Sequence, residues 1–205
     1  MSGRIITARH GRPDLSRDPW ISAREYGDWW TRYDASGLHP DERPPASLID
    51  LAKNAEKVLS STLPRAIETA SQATKGERDV PANALFVEAP LPPPPFPSWM
   101  KLRPGAWGVV SRTLWFCGFA PPGVENHSQA WDRVRQVTAL LAEEAERGDV
   151  LLCAHGYLNW MIDRQLRKEN WTRVQRDGGN RYWSWRIYEP PAGLAERAEA
   201  PAPAQ

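Results

Sequence analysis

Residues 91–97 read Leu-Pro-Pro-Pro-Pro-Phe-Pro. Proline lacks a backbone N–H and fixes φ, so neither a helix interior nor a central strand can pass through this run. It must be an extended surface segment, and it splits the chain's pattern in two. Before it, short apolar runs at 4–8 and 57–60 read as strands. They alternate with helical patterns at 46–56 and 66–74, with Pro64 standing where the second helix would start. A third apolar run at 84–87 predicts a third strand. After the prolines, 128–146 is the clearest helix, with Trp131, Val134, Val137, Thr138 and Leu141 as its buried face. Residues 149–154 form an apolar run suited to a buried parallel strand. Residues 156–168 return to helix, and the alternating stretch 182–188 closes the sheet. Strands alternating with helices argue for an α/β layered fold with a largely parallel sheet.

Local signals refine this. Ser22 and Glu25 make a capping box. The helix they open carries Tyr26, Trp29, Trp30 and Tyr33 as one aromatic stripe, with Gly37 as its expected C-cap. The region 89–124 is rich in Pro, Gly and Trp. It reads as a lid-like insert rather than a second domain, with Trp99, Trp107 and Trp115 as candidates for an aromatic pocket mouth. Pro, Ala and Glu dominate from residue 190, which predicts a disordered tail over 190–205 behind one domain over 1–189.

Charge narrows the function classes. With 26 basic and 25 acidic residues, the net charge of +1 gives no bulk attraction to nucleic acid or anionic membrane. No run is long and apolar enough for a membrane helix. The first residues lack a signal peptide's apolar region, so the expected compartment is the cytoplasm. Cys117 and Cys153 sit among apolar neighbours and read as two buried thiols.

In an open α/β sheet, ligands bind beyond the carboxyl ends of the strands. After the first strand stands Arg9-His10-Gly11, and after the second Ser61-Thr62-Leu63-Pro64-Arg65. After the third stands Glu88, and after the buried strand His155-Gly156. Two Arg, two His and one Glu thus come to one edge. That set suits phosphoryl transfer, where positioning and cationic clamping do most of the work. Guanidinium forks grip phosphate oxygens. A neutral imidazole is a competent nucleophile, and a carboxylic acid can protonate an alkoxide leaving group. Gly11 and Gly156 keep bulk away from the phosphate. Arg12 and Asp14 read as turn residues, and His39 and His127 as solvent or capping residues. No carboxylate at ligand-like spacing joins the His10/His155 pair, and flanking arginines would repel a cation, so no metal is expected.

Ala8-Arg9-His10-Gly11, then Ser60-Ser61 with Arg65-Ala66 and Thr69-Ala70, then Ala154-His155-Gly156, resemble the histidine phosphatase superfamily with its phosphoglycerate-mutase-like fold. The resemblance implies a three-layer α/β/α sandwich with a mostly parallel sheet. It implies a phosphohistidine intermediate on His10, phosphate clamping by Arg9, Arg65 and His155, Glu88 as proton donor, and no metal or cofactor. His10 would act neutral and His155 charged. The expected activity is hydrolysis of a small phosphorylated substrate to inorganic phosphate, with no nucleic-acid or membrane partner and no oligomeric state specified. The alternatives are a mutase, which returns the phosphoryl group to a second hydroxyl, and a non-catalytic phosphate- or phosphoprotein-binding module. An apolar insert, without a mutase's extra basic residues, favours the hydrolase. The chain departs from the family pattern at Pro13, at Ser16, and in the proline run that follows Glu88; Glu125 is the next candidate acid.

Overall fold

The computed structural model describes residues 3–192. The expected tail therefore lies, from residue 193 on, outside the described residues. In chain order the elements are β1 (Ile5–Arg9), β2 (Ile21–Ser22), α1 (Ala23–Ala35), α2 (Ala46–Asn54), β3 (Lys57–Ser61), α3 (Pro64–Ala73), β4 (Ala82–Asn83) and a 3-10 turn (Ala84–Phe86). Then follow β5 (Lys101–Leu102), α4 (Pro104–Phe116), α5 (His127–Ala145), β6 (Val150–Ala154), α6 (Gly156–Lys168), β7 (Thr172–Asp177) and β8 (Trp185–Glu189).

Six strands form one sheet in the order β4-β3-β6-β1-β8-β7. The first four run parallel, and β8 and β7 are each antiparallel to the preceding neighbour. Side chains alternate across a strand, so the buried strands feed two cores. Ile5, Val150, Leu152 and Ala154 join Val134, Val137 and Leu141 of α5 and Leu158, Met161 and Ile162 of α6. Ile6, Ala8, Leu151 and Cys153 join Leu48 and Ala52 of α2 and Ala70 and Ala73 of α3 on the other face. Helix, sheet and helix thus make the three layers. A third core packs α1 against α4 through Tyr26, Trp29, Tyr33 and Trp107. The α1 capping box forms as read: Ser22 N–H and Oγ–H donate to Glu25 Oε2 at 2.7 Å, and Glu25 N–H donates to Ser22 Oγ at 3.4 Å.

Several expectations fail for identifiable reasons. The strand expected at 84–87 is a 3-10 turn, because Asn83 Oδ1 accepts the N–H of Leu85 at 2.9 Å and starts a turn instead of a ladder. Only the two residues before it pair with β3. The insert contains a full helix, α4, which its two glycines and its valines had masked. Its buried Trp107, Ser111 and Trp115 recur every fourth residue. Trp107 and Trp115 are core side chains and Trp99 is 78% exposed, so none of the three lines the expected pocket mouth. The sheet ends on β7, an exposed edge strand with no apolar alternation. Residues 182–184 stand outside β8, where Trp183 adopts φ 62°. Helix α1 ends on Ser36 rather than Gly37. Trp131 is half-buried, and Cys117 is exposed while Cys153 is buried.

Candidate active site

Because β3, β6 and β1 are parallel neighbours, the residues that follow them emerge on one edge. Arg9 ends β1, and His10 follows with its N–H donated to Ala154 O at 2.9 Å. Pro64 opens α3 at a position where no N–H is needed, and Arg65 is the next residue. His155 is the N-cap of α6. A cavity of about 380 Å³ lies at this edge, lined among others by Arg9, His10, Arg65, Glu88 and Gly156. His155 does not line it. It sits behind, fully buried, with its ring 5.2 Å from that of His10.

His10 is 2% exposed. Its Nδ1 lies 2.7 Å from the carbonyl of Gly11, which can only accept. Nδ1 therefore carries the ring proton and Nε2 carries the lone pair. Burial, and then the charge of Arg65, hold the imidazole well below its ordinary pKa; Arg9 acts in the same direction. His155 is likewise lowered, by burial first, then by His10 and Arg65. The free site thus keeps His155 neutral, against the expectation that it is charged. Its Nε2 lies 2.8 Å from Ser61 Oγ, and its buried Nδ1 has no partner among the described residues.

The arginines are braced. Arg65 is 1% exposed and donates from Nη1 to Tyr33 O at 2.9 Å and from Nη2 to Asp34 at 3.0 Å. Its guanidinium lies 4.5 Å over the Tyr33 ring. Burial raises the pKa of Asp34 more than Arg65 lowers it. Arg9 donates to Asn180 O and lies 4.6 Å over Tyr182. Among the described residues, the buried Nε of each arginine has no partner. A Cβ on Gly156 would lie 3.0 Å from Arg9 Nε, so glycine is what lets Arg9 run close to the start of α6. Thr69 links the first two motifs: its hydroxyl donates to Arg65 O at 2.7 Å and accepts the Gly11 N–H at 3.0 Å.

Glu88 does reach the cavity, although no regular strand carries it there. Its Oε1 accepts N–H groups from Ala89 at 3.0 Å and Leu158 at 2.8 Å, and its Oε2 accepts one from Tyr157 at 3.0 Å. It therefore occupies the N-terminus of α6, which has no capping side chain of its own. Glu125 lies elsewhere, paired with Arg133 through both carboxylate oxygens at 2.7 Å. Arg12 is held by Glu42, and both Arg12 and Asp14 line a separate cleft.

The cavity also gathers Arg17, Arg112, Tyr157 and Trp160, which the sequence reading did not single out, and Trp30 and Tyr33 from the aromatic stripe of α1. Arg112 was hidden by the missed helix. With Arg9, Arg17, Arg65 and Arg112 against one carboxylate, the lining favours an anion. Among the described residues, no three His, Cys, Asp or Glu side chains gather as a metal-holding group.

The model of the histidine phosphatase superfamily (branch 1) matches residues 96–193, a span that includes His155-Gly156. Over that span, about half of the chain, the sequence is similar to that superfamily. Solved structures agree in fold. The mycobacterial glucosyl-3-phosphoglycerate phosphatase is 22% identical over 81% of this chain and 80% of its own, with a TM-score of 0.52. Its complex with inorganic phosphate matches at 21% identity over 81% and 79%, with a TM-score of 0.52. Bacillus stearothermophilus YhfR is 16% identical over 81% and 80%, with a TM-score of 0.56. No curated sequence relative matches. Among the described residues, no helix is long and apolar enough to cross a membrane.

Proposed function

We propose that this chain is a histidine phosphatase superfamily member, a metal-independent phosphomonoesterase that works through a phosphohistidine on His10. The observation that carries the reading is the state of His10. Its Nδ1–H is tied to a carbonyl and its Nε2 is left basic, in a cavity walled by Arg9 and Arg65. The ring is a neutral nucleophile when free, because burial and the arginines oppose its protonation.

In the first step His10 Nε2 forms a bond to phosphorus as the P–O bond to the alcohol breaks. The departing oxygen takes a proton from Glu88. Oε2 is the oxygen for that proton, since Oε1 already accepts two N–H groups and Oε2 only one. In the second step water attacks phosphorus, the P–N bond breaks, and Glu88 takes the water's proton. The unpartnered Nε atoms of Arg9 and Arg65 suit donation to phosphoryl oxygens. With Ser61 O–H donating to Nε2, the His155 Nδ1–H is free to do the same, and the arriving dianion raises the tendency of that ring to take a second proton. The name of the mycobacterial phosphatase, and its complex with phosphate, support a small phosphorylated substrate and inorganic phosphate as product.

Alkali-quenched turnover of a phosphate-labelled substrate in EDTA tests this. Label should appear on His10, be lost in acid and survive alkali, and His10→Ala should remove both label and turnover while the fold remains. A folded His10→Ala protein with full activity, or activity that needs added metal, would overturn the mechanism.

A further inference from the structure

Beyond the arginine clamp the cavity changes character. Two stacked aromatic pairs line it. Trp30 and Tyr33 come from α1, with ring centroids 5.2 Å apart and planes 30° apart; Tyr157 and Trp160 come from α6, at 5.3 Å and 22°. Trp30, Glu88 and Leu91 also wall an adjoining cavity of about 610 Å³, whose other lining includes Leu63, Val87, Pro92 and Val124. The space beside Glu88, where the departing oxygen takes its proton, thus continues along mainly apolar side chains, with Thr31 and Asp34 among them.

Part of the polar lining is already engaged within the protein. Arg112 donates to the carbonyls of Pro90 at 3.2 Å and Ala89 at 3.0 Å. Arg17 donates to the Tyr182 hydroxyl at 3.0 Å. Asn180 accepts from Arg9 on its carbonyl and from Arg186 on Oδ1. A polyol brings a donor and an acceptor at every hydroxyl, and those set against the apolar side chains would lose water without finding a partner. The Tyr157 hydroxyl, buried and unpartnered, offers a single hydrogen-bonding point. A ring, by contrast, finds aromatic faces and apolar walls.

We propose that the alcohol released here is ring-bearing and largely apolar, with at most one polar substituent, rather than a polyol. This rests on the phosphomonoesterase reading above. The test compares the full-length protein in EDTA on 2-phenylethyl phosphate and on glucose 6-phosphate. Both lose a primary alkyl alcohol, so intrinsic leaving ability is matched and the difference reports recognition. kcat/KM should be at least about tenfold higher on 2-phenylethyl phosphate, the lower end of what one apolar group is worth in a matching pocket. Trp160→Ala should narrow that gap, mainly through KM, and Trp160→Phe should keep most of it. Equal or better turnover of glucose 6-phosphate, or a gap untouched by Trp160→Ala, overturns the inference and leaves the phosphatase reading standing. No phosphate released from either ester, nor from p-nitrophenyl phosphate, overturns both.

Discussion

Arg65 is held by three groups at once: the Tyr33 carbonyl, the Asp34 carboxylate and the Tyr33 ring face. That bracing uses two of its nitrogens and leaves Nε for a ligand. Lysine presents one rotatable ammonium and cannot satisfy both the brace and a phosphate. Arg65→Lys should therefore lower kcat/KM by more than about tenfold, or about 1.4 kcal/mol of transition-state binding. Steady-state kinetics beside a denaturant titration checks this, and an unchanged kcat/KM in a stable variant would remove Arg65 from the clamp. At this scale the sequence was legible for residues fixed by a strand end. Arg9, His10, Arg65 and His155 all follow from reading where β1, β3 and β6 stop. It was not legible for residues whose role comes from a partner distant in sequence. Thr69 belongs to the second motif, but its link between Gly11 and Arg65 is visible only in three dimensions. The lowering of the His155 pKa was not legible because burial, the largest influence on it, cannot be read from neighbours in sequence.

At the scale of elements, the regular pieces of the sandwich were readable and the irregular connector was not. The helix at 156–168 falls where its pattern put it, because its apolar face meets the sheet. Helix α4 runs against its own propensities and forms because Trp107 and Trp115 are buried. Their indole N–H groups donate to the carbonyls of Ile21 at 2.6 Å and Glu125 at 2.9 Å. The proline run forms neither helix nor strand, and α4 holds it: Ser111 donates to Pro92 O at 2.8 Å and Arg112 to Ala89 and Pro90. Glu88 lies between this connector and α6, so its replacement has two consequences. Glu88→Gln puts an amide NH₂ against one of the N–H groups it now accepts, which should cost about 1 kcal/mol of stability. As a lost proton donor, the same change should slow alkyl phosphates by roughly 10²–10⁴-fold. It should slow p-nitrophenyl phosphate much less, since p-nitrophenolate departs largely unaided. An equal loss on both esters would mean that Glu88 only fixes the start of α6; no loss on either would mean that it serves neither purpose.

At the scale of the whole molecule, the sheet order brings β1 and β6 side by side although some 140 residues separate them. That adjacency buries two imidazoles together, and the burial couples the active site to global stability. Both His10 and His155 have pKa values lowered in the fold, so in the mildly acidic range the unfolded chain binds more protons than the native one. Stability must then rise with pH through that range. The contribution is complete above the unfolded value of about 6.5 and is lost as pH falls below it toward the folded values. Within that window each histidine adds a slope of up to about 1.4 kcal/mol per pH unit. Asp34, raised by burial, has the opposite sign, with a window that opens upward from its unfolded value of about 3.9 and offsets part of the loss. Denaturant midpoints should therefore drop between pH 7.5 and pH 5.5 with the slope m unchanged. In the double variant His10→Gln, His155→Gln, which keeps polar side chains but removes both titrations, the drop should shrink markedly. An equal drop in that variant would place the acid sensitivity outside the histidine pair, and would mean that the two rings do not resist protonation as their burial beside Arg9 and Arg65 requires.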